Sequence, residues 1–152
     1  MGVVQSDTIA SRLRSHSDLL WPVPDHWSLE EAATVPLAYS MAFYILFIKS
    51  SLKINAPILI HGGAGALGQA LISIALAHGC EVFTTVSNNA KKQFLRKLFP
   101  KLKNDHIGNS RDVTFCDMVL IATKRKGCRT VVTCTKGYLK NVCFNCCAYT
   151  GF

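Results

Sequence analysis

Acidic residues are scarce in this chain: nine Asp and Glu face 17 Lys and Arg over 152 residues, for a formal charge of +8. That imbalance favours anionic partners, such as a phosphorylated ligand, a nucleic acid or a membrane surface, although a solvated basic surface gives the same numbers. No RNA- or DNA-binding motif frames Lys101, Lys103, Lys124, Arg125, Lys126 and Arg129, so nucleic acid is set aside. No secretory signal is read at Met1 to Ala10, which lacks a basic segment and an apolar core. The most apolar run, Val35 to Ile48, is shorter than the roughly 20 residues a membrane span needs, and it carries Ser40 and two tyrosines. It reads as a buried helix, and no membrane partner is expected. Repeats and low-complexity tracts are absent. Histidine is missing after His106, so Cys134, Cys143, Cys146 and Cys147 in the tail lack a workable zinc ligand set. As a redox pair they would need a C-x-x-C at the mouth of a helix after a strand, so they read as accidental. An odd count of seven cysteines without a signal favours reduced thiols and a cytoplasmic location.

What is present is a core. Nearly half the residues, 49%, are hydrophobic, enough to exclude global disorder. The chain is organised around Ile58-Leu59-Ile60-His61-Gly62-Gly63-Ala64-Gly65-Ala66-Leu67-Gly68. An apolar run breaks into glycines and reopens with helical periodicity, the pattern of a nucleotide phosphate site. Gly63-x-Gly65-x-x-Gly68 fits the dinucleotide fingerprint. Its first glycine is expected to make the tight turn, its second to let a pyrophosphate approach, and its third to let helix and strand pack closely.

Around that loop the chain reads as follows. Trp21-Pro22-Val23-Pro24 is extended. Ser28-Leu29-Glu30-Glu31 is a capping box that opens a short helix ending before Pro36. A second helix, Leu37 to Lys49, is apolar on most sides and should be buried. Asn55-Ala56-Pro57 turns into a strand over Ile58 to His61. The helix after the glycines ends at His78-Gly79. A strand over Glu81 to Val86 follows, then a basic amphipathic helix over Asn89 to Phe99, closed by Pro100. Asp105 to Gly108 is a short third strand, Ser110 caps a helix over Asp112 to Thr123, and Arg129 to Thr135 is a fourth strand. The alternation is that of an α/β fold with a parallel sheet.

The end of the second strand reads Thr84-Thr85-Val86-Ser87-Asn88-Asn89, without the carboxylate that usually holds the ribose 2′-hydroxyl of NAD. Lys91 and Lys92 follow. A 2′-phosphate welcomes hydroxyls and ammonium groups, so NADPH is the expected cofactor, with Ser87 and Lys91 near its phosphate. The remaining basic residues of that helix read as a solvated face. His61 reads as a satisfied histidine, and Phe43 and Tyr44 as core. Ser40 has no His or Asp partner at recognisable spacing.

These residues resemble the medium-chain dehydrogenase/reductase superfamily, specifically the enoyl reductase domain of animal-type, insect-like fatty acid synthase. The carrying segments are Val23 to Pro36, Ile58 to Gln69 and Gly79 to Val86, extended by Phe94 to Pro100 and Asn109 to Asp112. The resemblance covers roughly residues 1 to 127 and is specific, because the motifs follow one another at the family's intervals. It implies NADPH-dependent reduction of a trans-2-enoyl chain on an acyl carrier protein, without zinc, in a parent enzyme that is a homodimer. By the same resemblance Gly63, Ala64, Gly65, Ala66, Leu67 and Gly68 match the pyrophosphate loop. Lys91 matches a lysine near the adenosine phosphate, and Arg111 a position near that end of the cofactor.

The pattern also departs from the family. Residues 1 to 27 match only the end of a GroES-like substrate domain, and 28 to 152 an incomplete NADPH-binding domain whose tail diverges from about 128. A Rossmann sheet has six strands, and there is sequence here for roughly four. The expected fold is therefore a partial, doubly wound Rossmann sheet preceded by a short helical connector. The family's proton donors find no match, and no catalytic residue is assigned. Met41 stands where relatives often carry a small hydroxyl residue. A cofactor-binding remnant without catalysis and a stand-alone quinone-reductase-like protein are the alternatives. An exposed fourth strand predicts low stability for the isolated chain.

Overall fold

The computed structural model describes residues 1–4 and 10–146; Cys147, part of the tail motif, lies outside them. Four parallel strands form one sheet in the order β3-β2-β1-β4. They are β1 (Pro57–Ile60), β2 (Glu81–Val86), β3 (Ile107–Asn109) and β4 (Thr130–Val132). Helices join them: α1 (Leu29–Phe43) precedes the sheet, and α2 (Ala66–Ala77), α3 (Asn89–Leu98) and α4 (Thr114–Ala122) are the crossovers. A last helix, α5 (Tyr138–Asn145), follows β4.

The register pairs Ile58 with Val82 and Leu59 with Phe83. Because successive strand side chains point to opposite faces, these pairs seed two separate cores. Ile58, Ile60 and Val82 pack with Leu71, Ile72 and Ala75 of α2, Leu95 of α3 and Leu46 beyond α1. Leu59 and Phe83 face the other way, onto Phe115, Val119, Cys128, Val142, Cys143 and Cys146. Each large side chain fully removed from water there contributes about 1.5–3 kcal/mol. The fold is thus a four-stranded parallel α/β sheet covered on both faces, as expected for part of a Rossmann domain.

Several elements differ from the sequence reading. The capping box is present, with the Glu31 amide donating to Ser28 Oγ at 3.1 Å and the Ser28 amide to Glu31 Oε2 at 2.9 Å. The helix it opens does not stop at Pro36, which lies buried inside α1. A proline inside a helix costs about 3 kcal/mol. Here Pro36 and Ala32, one turn apart, are both buried, and burial of that face outweighs the lost hydrogen bond. The helix runs on as a wider turn over Tyr44–Lys49. Leu29–Lys49 is thus a single helical stretch of 21 residues that holds an 18-residue window of mean hydropathy 1.5, long and apolar enough to cross a membrane by length and composition alone.

Nor is this helix buried. Leu37, Met41, Phe43, Tyr44 and Ile48 are exposed, Leu37 to 65%. A helix apolar on every side shows its second face once only one side has a partner.

Smaller corrections follow. The third strand begins at Ile107, after a tight turn over Asn104–His106. Ser110 does not cap α4; the Asp112 carboxylate accepts the Thr114 amide at 3.0 Å. The Thr114 hydroxyl bonds it as well and, as the largest influence, holds the Asp112 carboxyl below its ordinary range. The tail was not expected to form a helix, yet α5 buries Cys143, and Cys146 is buried just beyond it. Burial, the chief cause, pushes the Cys146 thiol far up, so it stays protonated at neutral pH. Among the described residues no group of three or more His, Cys, Asp or Glu is arranged to hold a metal ion.

Candidate dinucleotide site

β2 and β3 lie to one side of β1, and β4 lies to the other. The chain therefore changes direction between β1 and β4, and in open α/β sheets ligands bind outside the strand ends at that switch. A cleft of about 350 Å³ opens there, lined by His61, Gly62, Gly65–Gly68 on one side and Val132–Thr135 on the other.

The glycines divide the labour differently from the fingerprint's expectation. The left-handed turn belongs to Gly62, with φ +87°, not to Gly63. Gly63 is a packing glycine, because a Cβ there collides with Thr84 Oγ1 and comes within 2.8 Å of Ile72 Cδ1. Gly68 has the expected role: a Cβ there would sit 2.5 Å from the Gly62 carbonyl oxygen and 2.7 Å from Gly63 Cα. Gly65 meets nothing nearer than the Gly62 oxygen at 3.7 Å, so the protein itself leaves its surface open.

Two buried threonines of β2 clamp the loop. Thr84 Oγ1 donates to the Ile60 carbonyl at 2.7 Å. Thr85 Oγ1 accepts the Gly62 amide at 3.0 Å, and the Thr85 carbonyl accepts the Gly63 amide at 3.0 Å. Sequence reasoning saw these threonines only as a carboxylate-free strand end. Their alignment with the loop appears once β1 and β2 are placed in register. Gln69 Nε2 donates to the Ala64 carbonyl at 2.9 Å. Gly65 is the N-cap of α2 and brings no side chain. The first amides of the helix, Ala66, Leu67 and Gly68, therefore have no intrahelical acceptor and carry the positive end of the helix dipole.

A second depression of about 330 Å³ lies beyond the ends of β2 and β3, lined by Val86–Asn89, Lys92 and Ile107–Asn109. Lys91 Nζ donates to Ser87 Oγ at 3.2 Å, and the Lys91 amide is held by Asn88 Oδ1 at 2.9 Å. Lys92, read from sequence as part of a solvated face, instead donates to the Ile107 carbonyl at 3.1 Å and forms the floor. Its one-residue offset on α3 turns it toward β3, a placement that only the crossover reveals. Arg111 is exposed beside this rim, with its amide on Asn109 Oδ1 at 3.1 Å. The expected residues thus fall into two groups: Gly63–Gly68 at the switch point, and Ser87 with Lys91 beyond β2, Arg111 standing just outside. Ser40, Met41, Phe43 and Tyr44 line neither depression.

Residues 58–143 match the family described as NADP oxidoreductase coenzyme F420-dependent, and the chain belongs to that family. The chain is 39% identical over 137 residues to the lovastatin diketide synthase mokB of Monascus pilosus, across 90% of this chain and 5% of that protein. Among solved structures, CurK enoyl reductase superposes with a TM-score of 0.82 at 30% identity, over 90% of this chain and 40% of that one. A mycobacterial protein solved in complex with NADPH superposes with a TM-score of 0.75 at 26% identity, over 89% and 40% of the two chains. The chain therefore has the fold of the nucleotide-binding part of an enoyl reductase domain of the medium-chain superfamily. The resemblance read from sequence holds at that level. Curated relatives, however, are named diketide synthase or highly reducing polyketide synthase rather than animal-type fatty acid synthase.

Proposed function

We propose that this chain is the NADPH-binding segment of an enoyl reductase domain in a multidomain acyl synthase. The observation that carries the reading is the Lys91–Ser87 contact beside a strand end without a carboxylate, a pairing suited to a 2′-phosphate. The α2 amides and Gly65 would receive the pyrophosphate, and Ser87 and Lys91 the adenosine phosphate, with Arg111 as a distant charge. When bound, the nicotinamide supplies hydride to the β-carbon of a trans-2-enoyl thioester. The chain's own residues bind and orient; none is assigned a proton transfer.

Residues 1 to 27 correspond in this reading to the end of a substrate domain, and 28 to 152 to the cofactor domain. The chain spans 5% of the mokB synthase and 40% of CurK enoyl reductase, so turnover and the acyl carrier partner belong to the whole protein. The curated relative favours a polyketide-type synthase; the motifs from Val23 to Pro36 and Gly79 to Val86 favour the fatty acid type as the second reading. Titration of the purified chain with NADPH and NADH tests the binding role. Tighter binding of NADPH is expected; equal affinity would remove the assignment of Lys91, and no binding of either would remove the function.

A further inference from the structure

We infer that His61 is held as the neutral tautomer protonated on Nε2, and that it acts through Thr85 as the positioning residue of the phosphate loop. The inference rests on the cofactor reading for its consequence, but not for its chemistry. Thr85 is fully buried. Its hydroxyl oxygen has two partners: the Gly62 amide at 3.0 Å and His61 Nδ1 at 3.0 Å. An amide can only donate, so the oxygen accepts from Gly62. The hydroxyl proton then needs an acceptor, and among the described residues His61 Nδ1 is the one within reach. A proton on Nδ1 would force the threonine oxygen to accept twice and leave its own proton buried without a partner, a costly arrangement.

The surroundings agree. The imidazole is half-buried, and the Phe115 ring of α4 lies 5.3 Å from it, centre to centre. Leu67 and Leu71 of α2 and Val132–Thr135 after β4 share the cleft wall. Of these only Cys134 is titratable, and no ion pair with His61 exists among the described residues. Burial lowers the readiness of the ring to take a proton. The consequence is mechanical. His61 fixes the Thr85 proton, the Thr85 oxygen fixes the Gly62 amide, and Gly62 is the left-handed residue that aims the loop. A histidine at the end of a strand thereby sets the direction of the α2 amides.

The test reads the tautomer and the affinity separately. Long-range proton–nitrogen correlation on the histidine-labelled chain, assigned by the signal lost in His61→Asn, should show Nδ1 bare and Nε2 protonated at pH 7.5 without cofactor. Thr85→Val should yield a mixture of tautomers and weaken NADPH about tenfold, the scale of one lost buried hydrogen bond. Thr85→Ser, which keeps the hydroxyl, should restore both the wild-type signature and an affinity within about twofold of wild type. His61→Asn offers an amide oxygen in place of Nδ1 and should bind better than His61→Phe. A protonated Nδ1 in the wild-type chain overturns the proposal whether or not any variant folds. So does a Thr85→Val protein that binds NADPH as wild type does. Failure of the wild-type chain to bind NADPH would instead overturn the function proposed above, and the tautomer would still be read.

Discussion

The two depressions at the strand ends are built on opposite plans. At the switch point the loop is backbone, clamped from below by buried Thr84 and Thr85 and from the side by Gly68. Beyond β2 and β3 the rim is made of side chains, and Lys91 and Arg111 are exposed. At the first end Gly63 and Gly68 cannot change without disturbing the fold, because a Cβ at either collides with Thr84 or with the loop backbone. At the second end the Lys91 and Arg111 side chains can change more freely, because both are exposed. Under the proposed function, cofactor recognition is split between a part that would hold any dinucleotide and a part that would select one.

The largest effect should come from Gly68→Ala. The added methyl would lie 2.5 Å from the Gly62 oxygen and 2.7 Å from Gly63 Cα, both backbone. With no flexible side chain to yield, the cost should reach the upper part of the roughly 1–3 kcal/mol range for overpacking, seen as a lower midpoint in urea. Gly65→Ala sharpens the contrast within the same loop. Its methyl meets only ordinary contact at 3.7 Å, so the urea midpoint should stay near wild type while NADPH and NADH both weaken at least about tenfold. If Gly65→Ala lost stability like Gly68→Ala, the loop would be scaffold throughout, and the division between holding and packing glycines would fail.

That division was only partly legible in the sequence. The strand–loop–helix order, the C-terminal His78-Gly79 and the strand over Glu81 to Val86 could be read because local periodicity and turn chemistry decide them. Which glycine turns and which packs could not, because the answer depends on Thr84 and Ile72, residues from two other elements. Pro36 was misread for the same reason: local chemistry says stop, and the burial of that face says continue. The second core escaped notice because Cys143 and Cys146 look like stray tail cysteines until Phe83 and Phe115 give them a surface to cover. Lys92 shows the limit most sharply, since it differs from Lys91 by one position and has the opposite environment.

At the selecting end, Lys91→Ala should weaken NADPH about tenfold, roughly 1.4 kcal/mol, and leave NADH within about twofold. The urea midpoint should not move, because the Lys91 side chain is exposed and its ammonium bonds the Ser87 hydroxyl at the rim. A parallel loss for both cofactors would place Lys91 with the holding residues.

Acid exposes the clamp at a smaller scale. The His61 ring is held below its ordinary pKa of 6.5 by burial. Above that value the ring is neutral in both the folded and the unfolded chain and contributes no pH dependence. As pH falls below it, the unfolded chain takes up the proton first, so stability drops until the folded ring is protonated as well. Urea midpoints measured between pH 7 and pH 5 should fall in the wild type and fall less in His61→Asn. Equal slopes would mean that His61 is not desolvated in the folded chain.

Arg111→Ala should have the smallest effect, and for that reason it is the closest test of the comparison. The residue is exposed, and its recorded bond to Asn109 is made by its backbone, which alanine keeps. What the substitution removes is one solvated charge near the rim, worth about 0–1 kcal/mol at most. NADPH should weaken by about twofold at low salt, and the difference should vanish at high ionic strength as the charge is screened. A loss that persisted in high salt would mean that the guanidinium makes a direct, desolvated contact with the phosphate. The selecting end would then reach past Ser87 and Lys91 across the loop between β3 and α4, and Arg111 would move from a distant charge to a ligand-binding residue.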